Sequence, residues 1–323
     1  MSADARPGGE GGGSPDLYGG AEGGAPGAAP GAAPGGPPGV LAIVAGQGAL
    51  PERLAAARQA AGLPYVLIVF EGCAAPWMSG HPQQAHSFEK VGRLFAGLRQ
   101  VGAEAIVFAG AMNRPRLRPW RGDLAALRLL PRALALLARG DDAMLRGFAA
   151  IFEERGIRLV GSGAILGEAA MLGEGPVGRL RPGAAALADA RRAAAIVTAL
   201  GPHDVGQGAV VARGLCLAVE AIEGTDLMLA RVAALPAERR RTAPPPSGVL
   251  LKMPKPGQDR RFDLPTLGPA TVRAAAAAGL EGVAGLAGET QLVDPAETAA
   301  VADAAGLFVV GLTRAALGLG DGP

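Results

Sequence analysis

Apolar runs of strand length alternate with helix-like stretches along most of the chain. In the first half these runs cover Val40–Ala45, Tyr65–Phe70, 105–108 and 157–160, with a polar loop expected over 71–86. Before the third run, apolar residues recur at the spacing of an amphipathic helix, at Val91, Leu94, Phe95, Leu98 and Val101. Continuous apolar strands separated by helices are typical of a parallel sheet covered on both faces. We therefore predict a Rossmann-like α/β domain.

In the second half the apolar runs are shorter and stand closer together. Strands are predicted over 209–212, 216–219, 249–251, 283–286, 291–293 and 307–310, and helices near 184–200, 227–235, 271–278 and 296–305. Close spacing of the first two strands is typical of a hairpin, which requires an antiparallel pair. The pattern predicts a second α/β domain with a mixed sheet.

Composition indicates where these domains begin and end. Residues 1–39 hold 21 of the 51 glycines and 27 prolines, with almost no apolar side chain besides alanine. Such a segment buries too little to offset its ordering entropy, so it is predicted to be disordered. A second stretch rich in glycine and proline, 173–183, predicts a linker. The domains are thus expected over 40–172 and 184–316, with a tail over 317–323.

Bulk composition also excludes several classes of protein. A formal net charge of +2 and an aromatic content of 4% offer neither the basic surface nor the stacking platforms of nucleic-acid binding. No apolar run reaches membrane-spanning length, and the start of the chain lacks the features of a secretory signal. Cys73 and Cys216 form no CxxC pair, which fits a reducing cytoplasm without a zinc site or disulfide framework.

Gly46-Gln47-Gly48, directly after the first strand, is similar to part of a dinucleotide-binding turn. Its glycines permit backbone N–H groups to approach an anion at a helix start. Glu71, after the second strand, stands where a ribose-binding acid belongs. However, the third glycine is missing, and Pro51 stands in its place. A plain βα turn, a phosphate or nucleotide site and a full NAD site are all compatible with the motif.

Two further polar pairs could reach the same crevice of the first domain. Asn113 and Arg114 follow the third strand, at the end of the sheet where ligands gather, although a simple loop exit explains them equally well. Asp141 and Asp142 precede a helix. One of them fits an N-cap, and the other is a candidate contact for a metal or a ribose.

The densest acidic cluster is the heptapeptide EAIEGTD. Gly224 permits a sharp turn, and Thr225 can cap the helix that begins there. Capping does not explain Glu220, Glu223 and Asp226, because clustered carboxylates repel one another unless a cation joins them. Hard oxygen ligands of this kind suit Mg²⁺. A magnesium site and a solvated turn are the two interpretations.

Residues 252–269, KMPKPGQDRRFDLPTLGP, form a segment that we call the charged arm. It contains two lysines, two arginines and two aspartates, and it follows a predicted strand. Its four prolines exclude a long helix or a central strand. A segment so charged and so stiff is predicted to lie outside the core. It is either a solvated loop or a rigid arm that holds charges at set positions.

Six motifs of this chain occur in the order typical of one family: AGQGALP, GAMNRP, GDDAML, DVGQ, VEAIEGTDLMLAR and KMPKPGQDRRFDLPTLGPAT. Over nearly all of residues 40–312 the chain resembles the UDP-2,3-diacylglucosamine pyrophosphohydrolases of lipid A biosynthesis, of the type unrelated to calcineurin-like phosphoesterases. The resemblance implies metal-dependent hydrolysis of the substrate diphosphate to UMP and 2,3-diacylglucosamine 1-phosphate (lipid X). The sequence has no recognisable nucleophile motif, which favours direct attack of water on phosphorus.

The resemblance has structural implications as well. It implies two α/β domains that hold the amphiphilic substrate in the cleft between them. The expected cofactor is Mg²⁺ or another divalent metal. The expected location is the cytoplasm of a Gram-negative bacterium, in peripheral contact with the inner membrane, and a homo-oligomer is compatible with the sequence.

The resemblance also implies roles for individual residues. Catalysis is expected at Asp226, the carboxylate of the EGTD motif. The expected metal ligands are Asp226, Asp259 and Glu223. The expected substrate contacts are Gln47, Gly48, Asn113, Asp141, Asp142, Gln207, Thr225, Lys252, Lys255, Gln258, Asp263 and Thr266.

Two other functions fit parts of the sequence. An NAD(P)-dependent oxidoreductase would use Gly46, Gly48 and Glu71, but the missing third glycine and the charged arm count against it. A non-catalytic sugar-nucleotide-binding protein would bind UDP without turnover. That function leaves Asp226 no role beyond the first turn of its helix.

Overall fold

The computed structural model describes residues 35–110, 122–129, 147, 149–240, 246–258, 261 and 264–320. The predicted disorder of 1–34 lies outside these residues, as do five predicted site residues: Asn113, Asp141, Asp142, Asp259 and Asp263. Within the described part of the chain, no helix is both long and apolar enough to cross a membrane.

The first α/β region is built on a parallel sheet, as predicted. Its elements are β1 (Val40–Ala45), α1 (Leu50–Ala60), β2 (Tyr65–Phe70), β3 (Gln83–His86), α2 (Val91–Gln100), β4 (Ala103–Ala109), β5 (Arg158–Leu159) and α3 (Ser162–Leu166). The strand order is β3-β2-β1-β4-β5, and all neighbours are parallel. Successive residues of β2 enter different apolar clusters, Leu67 with Leu54 of α1 and Ile68 with Leu98 of α2. Both faces of the sheet are therefore covered.

Strand β3 lies in the segment that the polarity pattern predicts as a loop. It is an edge strand, paired only with β2, and its sequence is QQAH. Of its four side chains only that of His86 is buried. An edge strand is held by backbone hydrogen bonds on one side, so apolar periodicity carries little signal for it.

The second α/β region contains the mixed sheet that the short strands predict. Its elements are β6 (Gly175–Pro176), α4 (Ala184–Leu200), β7 (Gly208–Ala212), β8 (Leu215–Val219), α5 (Gly224–Ala233), α6 (Ala237–Arg240), β9 (Val249–Lys252), β10 (Thr266–Leu267), α7 (Pro269–Ala277), β11 (Gly282–Leu286), β12 (Gln291–Leu292), α8 (Pro295–Ala305) and β13 (Phe308–Leu312). Six strands are ordered β6-β13-β11-β9-β7-β8, and β10 pairs with β12. Strands β9, β11 and β13 are parallel, whereas β6 and the β7–β8 hairpin add antiparallel pairs.

The β7–β8 hairpin is fixed at its turn by a buried carboxylate. Arg213 and Gly214 both have positive φ, as a two-residue turn between strands of normal twist requires. Asp189 of α4 accepts hydrogen bonds from their amides, at 2.8 Å from Arg213 and 2.7 Å from Gly214. The turn end of the hairpin is thereby tied to α4. The opposite end is the edge of the sheet where the acidic cluster begins.

The two ends of the charged arm are buried, so the prediction that it lies outside the core is wrong for them. Lys252 is the last residue of β9 and is 8% exposed, and Met253 is 2% exposed within an apolar cluster. At the other end, Pro269 is buried and begins α7. Lysine is almost never buried without a partner. The partners of Lys252 are distant in sequence, which is why the pattern of charges alone misplaces it.

A buried arginine holds the chain that enters β1. Arg58 of α1 donates hydrogen bonds to the carbonyls of Gly35 (2.8 Å), Pro37 (2.6 Å), Gly39 (2.6 Å) and Pro64 (2.5 Å). The residue is fully buried. Residues 35–39, which the composition assigns to the disordered extension, therefore have defined contacts with the first α/β region.

Replacing Arg58 with methionine is expected to lower the free energy of unfolding by about 3 kcal/mol, because carbonyls that lose a charged donor stay partly buried. The matched control is Arg53→Met on the same helix, since the Arg53 side chain has no partner within the described residues. That control should change stability by no more than about 0.5 kcal/mol. Urea unfolding would measure both, and equal shifts would show that the four carbonyls are satisfied by water instead.

Candidate active site

Three polar loops meet where β7 begins and where β8 and β9 end, at one end of the strands of the second sheet. They precede β7, follow β8 and follow β9, and the pairing of Gly208 with Lys252 aligns the start of β7 with the end of β9. The amide of Met253 donates to the carbonyl of Gln207 at 2.9 Å, and Lys255 forms an ion pair with Asp204. The DVGQ motif is thereby brought against the charged arm, two motifs that are 45 residues or more apart in the chain.

The arm turns sharply after these contacts. The side-chain oxygen of Gln258 accepts a hydrogen bond from the amide of Lys255 at 2.9 Å. Gly257 between them has a φ of 76°, in the region that favours glycine. Pro256 packs against Gly201, where a side chain would clash with the proline ring. Of the two predicted substrate contacts in this turn, Lys255 is therefore bound to Asp204, and Gln258 closes the turn.

A short relay of hydrogen bonds connects the end of β9 with the acidic cluster. The Nζ of Lys252 donates to the Oγ1 of Thr225 at 2.6 Å. Thr225 in turn donates to the Oε1 of Glu220, also at 2.6 Å, and the Lys252 Nζ lies 3.9 Å from that oxygen. Lys252 and Glu220 are buried, at 8% and 9% exposure. The structure thus joins two predicted substrate contacts to a carboxylate that the sequence assigns only to the acidic cluster.

Thr225 does not cap helix α5, so that prediction is wrong. The N-cap residue is Glu223, without a side-chain capping hydrogen bond, and Thr225 already lies in the first turn. Its hydroxyl is used by Lys252 and Glu220. Because a positive φ of 78° at Gly224 turns the chain into the helix, the turn forms without a capping side chain.

The other two carboxylates of the cluster differ in their surroundings. Glu223 forms an ion pair with Arg231 of the same helix at 2.7 Å. Asp226 is exposed in the first turn of α5, and within the described residues it has no hydrogen-bond or ion-pair partner. A carboxylate is favoured there, since the helix N-terminus carries partial positive charge. Two of the three acidic residues are thus neutralised by the protein, and Asp226 is left exposed to solvent.

These residues allow a test of the predicted magnesium site. No group of three or more His, Cys, Asp and Glu residues could hold a metal within the described part of the chain. Asp259 lies outside that part, and Glu223 would have to leave Arg231 to bind a cation. Mg²⁺ is usually held by one or two carboxylates together with substrate phosphates and water. Asp226 fits that mode of binding, because its carboxylate is exposed and unengaged.

In the first region, Gln47 and Gly48 lie at the switch point of the sheet. Strand β1 is flanked by β2 on one side and by β4 on the other, so the strand order reverses at β1. Ligands of open α/β sheets bind at the carboxyl ends of the strands where the order reverses. The amide of Gly46 donates to Ala109 at 2.7 Å, and Gly110 packs closely against the backbone of Gln47. Gln47 and Gly48 are both exposed there. Asn113, three residues beyond Gly110, lies outside the described residues.

His86 ends β3 at the same edge of the first sheet. Burial lowers the pKa of its imidazole, and the positive charge of Arg93 lowers it further. The ring is therefore neutral at pH 7. Its Nε2 lies 3.1 Å from the Oε1 of Gln84, and its Nδ1 is buried without a partner in the described part of the chain. A neutral buried ring supports packing of the sheet edge rather than binding of phosphate.

Thr266 lies in a different network from the relay. Its hydroxyl contacts the carbonyl of Leu264 at 3.2 Å and the side-chain oxygen of Gln291 at 3.4 Å. The amide nitrogen of Gln291 donates to the hydroxyl of Ser162 in the first α/β region. Thr266 therefore belongs to a contact between the two regions. Sequence reasoning missed Ser162 and Gln291, because single polar residues in apolar segments carry no motif.

Comparison with known proteins gives the same family as the ordered motifs of the sequence. Residues 40–169 match the LpxI N-terminal domain, and residues 173–310 match the LpxI C-terminal domain. The UDP-2,3-diacylglucosamine pyrophosphatase LpxI of Caulobacter vibrioides is 41% identical over 272 residues, which cover 84% of this chain and 97% of that protein. The resemblance inferred from the sequence is confirmed. This chain belongs to the LpxI family.

Proposed function

We propose that the protein hydrolyses the diphosphate of UDP-2,3-diacylglucosamine to UMP and 2,3-diacylglucosamine 1-phosphate, a step of lipid A biosynthesis. The observation that carries the proposal is the position of Asp226, whose carboxylate is exposed and has no partner within the described residues. Its neighbour Thr225 accepts a hydrogen bond from the buried ammonium of Lys252. The Caulobacter relative is named a UDP-2,3-diacylglucosamine pyrophosphatase, which supports the choice of substrate.

The cations of the second region suit the charge of a diphosphate. Negative charge must be offset while water attacks phosphorus, and preorganised donors do this without reorganising during the reaction. Lysine has three N–H donors, and the ammonium of Lys252 uses one of them for Thr225. We assign the remaining donors to the phosphate oxygens of the substrate. Lys255 is a second ammonium, on the loop that follows β9, and it forms an ion pair with Asp204. We assign it to the same diphosphate.

The chemical step assigned to Asp226 is activation of water. Its carboxylate orients a water molecule and accepts a proton from it while the water oxygen forms a bond to one phosphorus. The bond from that phosphorus to the bridging oxygen breaks, and the bridging oxygen leaves with the other phosphate. When bound, Mg²⁺ would supply further charge neutralisation, with Asp226 and the predicted ligands Asp259 and Glu223 as its protein contacts. The water oxygen and its protons are shared between the two products, UMP and lipid X, which are both phosphate monoesters.

The first region is proposed to hold the nucleotide half of the substrate. Gln47 and Gly48 stand at the switch point of its sheet, the place where nucleotides bind in folds of this type. Asn113, Asp141 and Asp142 are assigned to the same half by the resemblance. The cleft between the two regions would then contain the diphosphate.

Two exposed apolar side chains flank the catalytic turn and support peripheral contact with the inner membrane. Ile222 is 95% exposed and Leu227 is 64% exposed, and they lie on either side of Asp226 in sequence. Exposed aliphatic side chains next to a site for an amphiphile suit the acyl chains or the membrane surface that supplies them. We place the protein at the cytoplasmic face of that membrane.

The deciding experiment incubates the purified protein with UDP-2,3-diacylglucosamine and Mg²⁺ and measures UMP. We expect UMP and lipid X in equal amounts, and loss of both when a chelator removes the metal. A protein that folds but releases no UMP would contradict the proposal. Binding of UDP without release of UMP would instead support the sugar-nucleotide-binding alternative, and a thermal shift with NAD would support the oxidoreductase.

Hydrolysis in ¹⁸O-water would identify the phosphorus that is attacked.

A further inference from the structure

Glu220 has no role in the mechanism above, yet two glycines make room for this residue, one for its backbone carbonyl and one for its carboxylate. Glu220 directly follows β8, and its amide donates to the carbonyl of Gly208 at 2.9 Å. A Cβ atom on Gly206 would overlap the carbonyl oxygen of Glu220, and a Cβ atom on Gly208 would lie 2.8 Å from its Oε2. The start of β7 is therefore shaped around this acidic residue.

The chemistry of the three relay groups fixes the direction of their hydrogen bonds. An ammonium can only donate, and an ionised carboxylate can only accept. Thr225 must therefore accept from Lys252 and pass its single hydroxyl proton to Glu220, at 2.6 Å in each case. The hydroxyl can make both bonds only while Glu220 accepts. Glu220 thus fixes the orientation of Thr225, and Thr225 fixes the ammonium of Lys252.

Stability alone explains this carboxylate poorly. The Oε2 atom of Glu220 is buried and, among the described residues, has no hydrogen-bond partner. A buried acceptor left unsatisfied destabilises the fold. Buried charged pairs can often be replaced by packed apolar side chains without loss of stability. Control over the position of Lys252 gives the residue a role that compensates for this cost.

We infer that Glu220 is a positioning residue of the pyrophosphatase site, acting through Thr225 on the ammonium of Lys252; the inference rests on the proposed function. Thr225 immediately precedes Asp226 in the first turn of α5. The relay therefore also fixes the start of that helix against the end of β9. The hydrogen bond between Lys252 and Thr225 thereby fixes the position of Lys252 relative to Asp226, so both meet the substrate diphosphate at set positions.

The test is a double-mutant cycle on kcat/KM for UDP-2,3-diacylglucosamine. Glu220→Gln is expected to lower kcat/KM by about tenfold, since it replaces the charged acceptor of the Thr225 hydroxyl with a neutral amide oxygen that accepts more weakly. Thr225→Val is expected to lower kcat/KM by about tenfold to a hundredfold, since it removes the hydroxyl from the relay. The double variant should fall no more than about threefold below the worse single variant, because residues in one network are not additive. Thr225→Ser keeps the hydroxyl and should restore most of the activity.

The control is Glu281→Gln, which changes a partly buried carboxylate that binds the amide of Gly248 before β9, at 3.1 Å, and should leave kcat/KM unchanged. Effects of Glu220→Gln and Thr225→Val that multiply would overturn the inference, as would wild-type kcat/KM in Glu220→Gln. If Glu220→Gln does not fold, equal losses in Thr225→Ser and Thr225→Val would overturn it. No UMP from the wild-type protein would overturn the proposed function, and the inference with it, so the two failures are distinguishable.

Discussion

Replacing Asp226 with alanine is expected to lower kcat by about a hundredfold to ten-thousandfold, the range that a positioned general base contributes. Substrate binding and the fold should survive. The side chain is exposed and, within the described residues, has no partner whose loss would destabilise α5. Rates of UMP release, the Kd for UDP-2,3-diacylglucosamine and the melting temperature would be measured on the same preparation.

Helix α8 offers a matched control for this variant. Glu297 lies in the first turn of α8, as Asp226 does in α5, so Glu297→Gln also removes a carboxylate from a helix N-terminus. Its only side-chain contact in the described structure is an exposed ion pair with Arg273 at 2.7 Å. That variant should retain wild-type kcat. If Asp226→Ala also retained it, Asp226 would be removed from the mechanism, and a carboxylate of the arm such as Asp259 or Asp263 would take its place.

The sequence could identify the acidic cluster but not the cations that balance it. Three carboxylates within seven residues do require nearby positive charge. In the structure that charge comes from Lys252 for Glu220 and from Arg231 for Glu223. Lys252 is 32 residues from Glu220, and the pairing of β7 with both β8 and β9 brings the two together. The predicted metal at this cluster stays a prediction, with Asp226 as its available ligand.

Strand prediction succeeded where burial leaves a continuous apolar run. Strands β1, β2 and β4 are central and mostly buried, so their sequences are continuous apolar runs that a pattern search recognises. Strands β3 and β6 are at sheet edges, and their pairing depends on backbone groups that the sequence pattern does not display. Strand β6 even lies in the stretch predicted as a linker. The edge strands β3 and β6, built of polar or small residues, are therefore parts of this fold that the sequence pattern did not predict.

Replacing Lys252 with methionine should have the second-largest effect. Removing one preorganised donor to a developing negative charge costs about a hundredfold to a thousandfold in kcat, and we expect a loss in that range. The same change leaves the carboxylate of Glu220 buried with only Thr225 as a partner. Breaking a buried charged pair in this way should lower the free energy of unfolding by about 3 kcal/mol. A loss of activity alone would therefore not distinguish a catalytic role from partial unfolding.

A double variant separates the two effects. Lys252→Met combined with Glu220→Gln removes both charges of the relay, so most of the lost stability should return. Activity should not return, because the donor to the substrate phosphates is still missing. Urea unfolding and UMP release on the wild type, both single variants and the double variant would show this. Recovery of kcat together with stability would mean that Lys252 supports only the fold. The positive charge at the phosphates would then have to come from Lys255, whose own replacement by methionine should in that case give the larger loss of kcat.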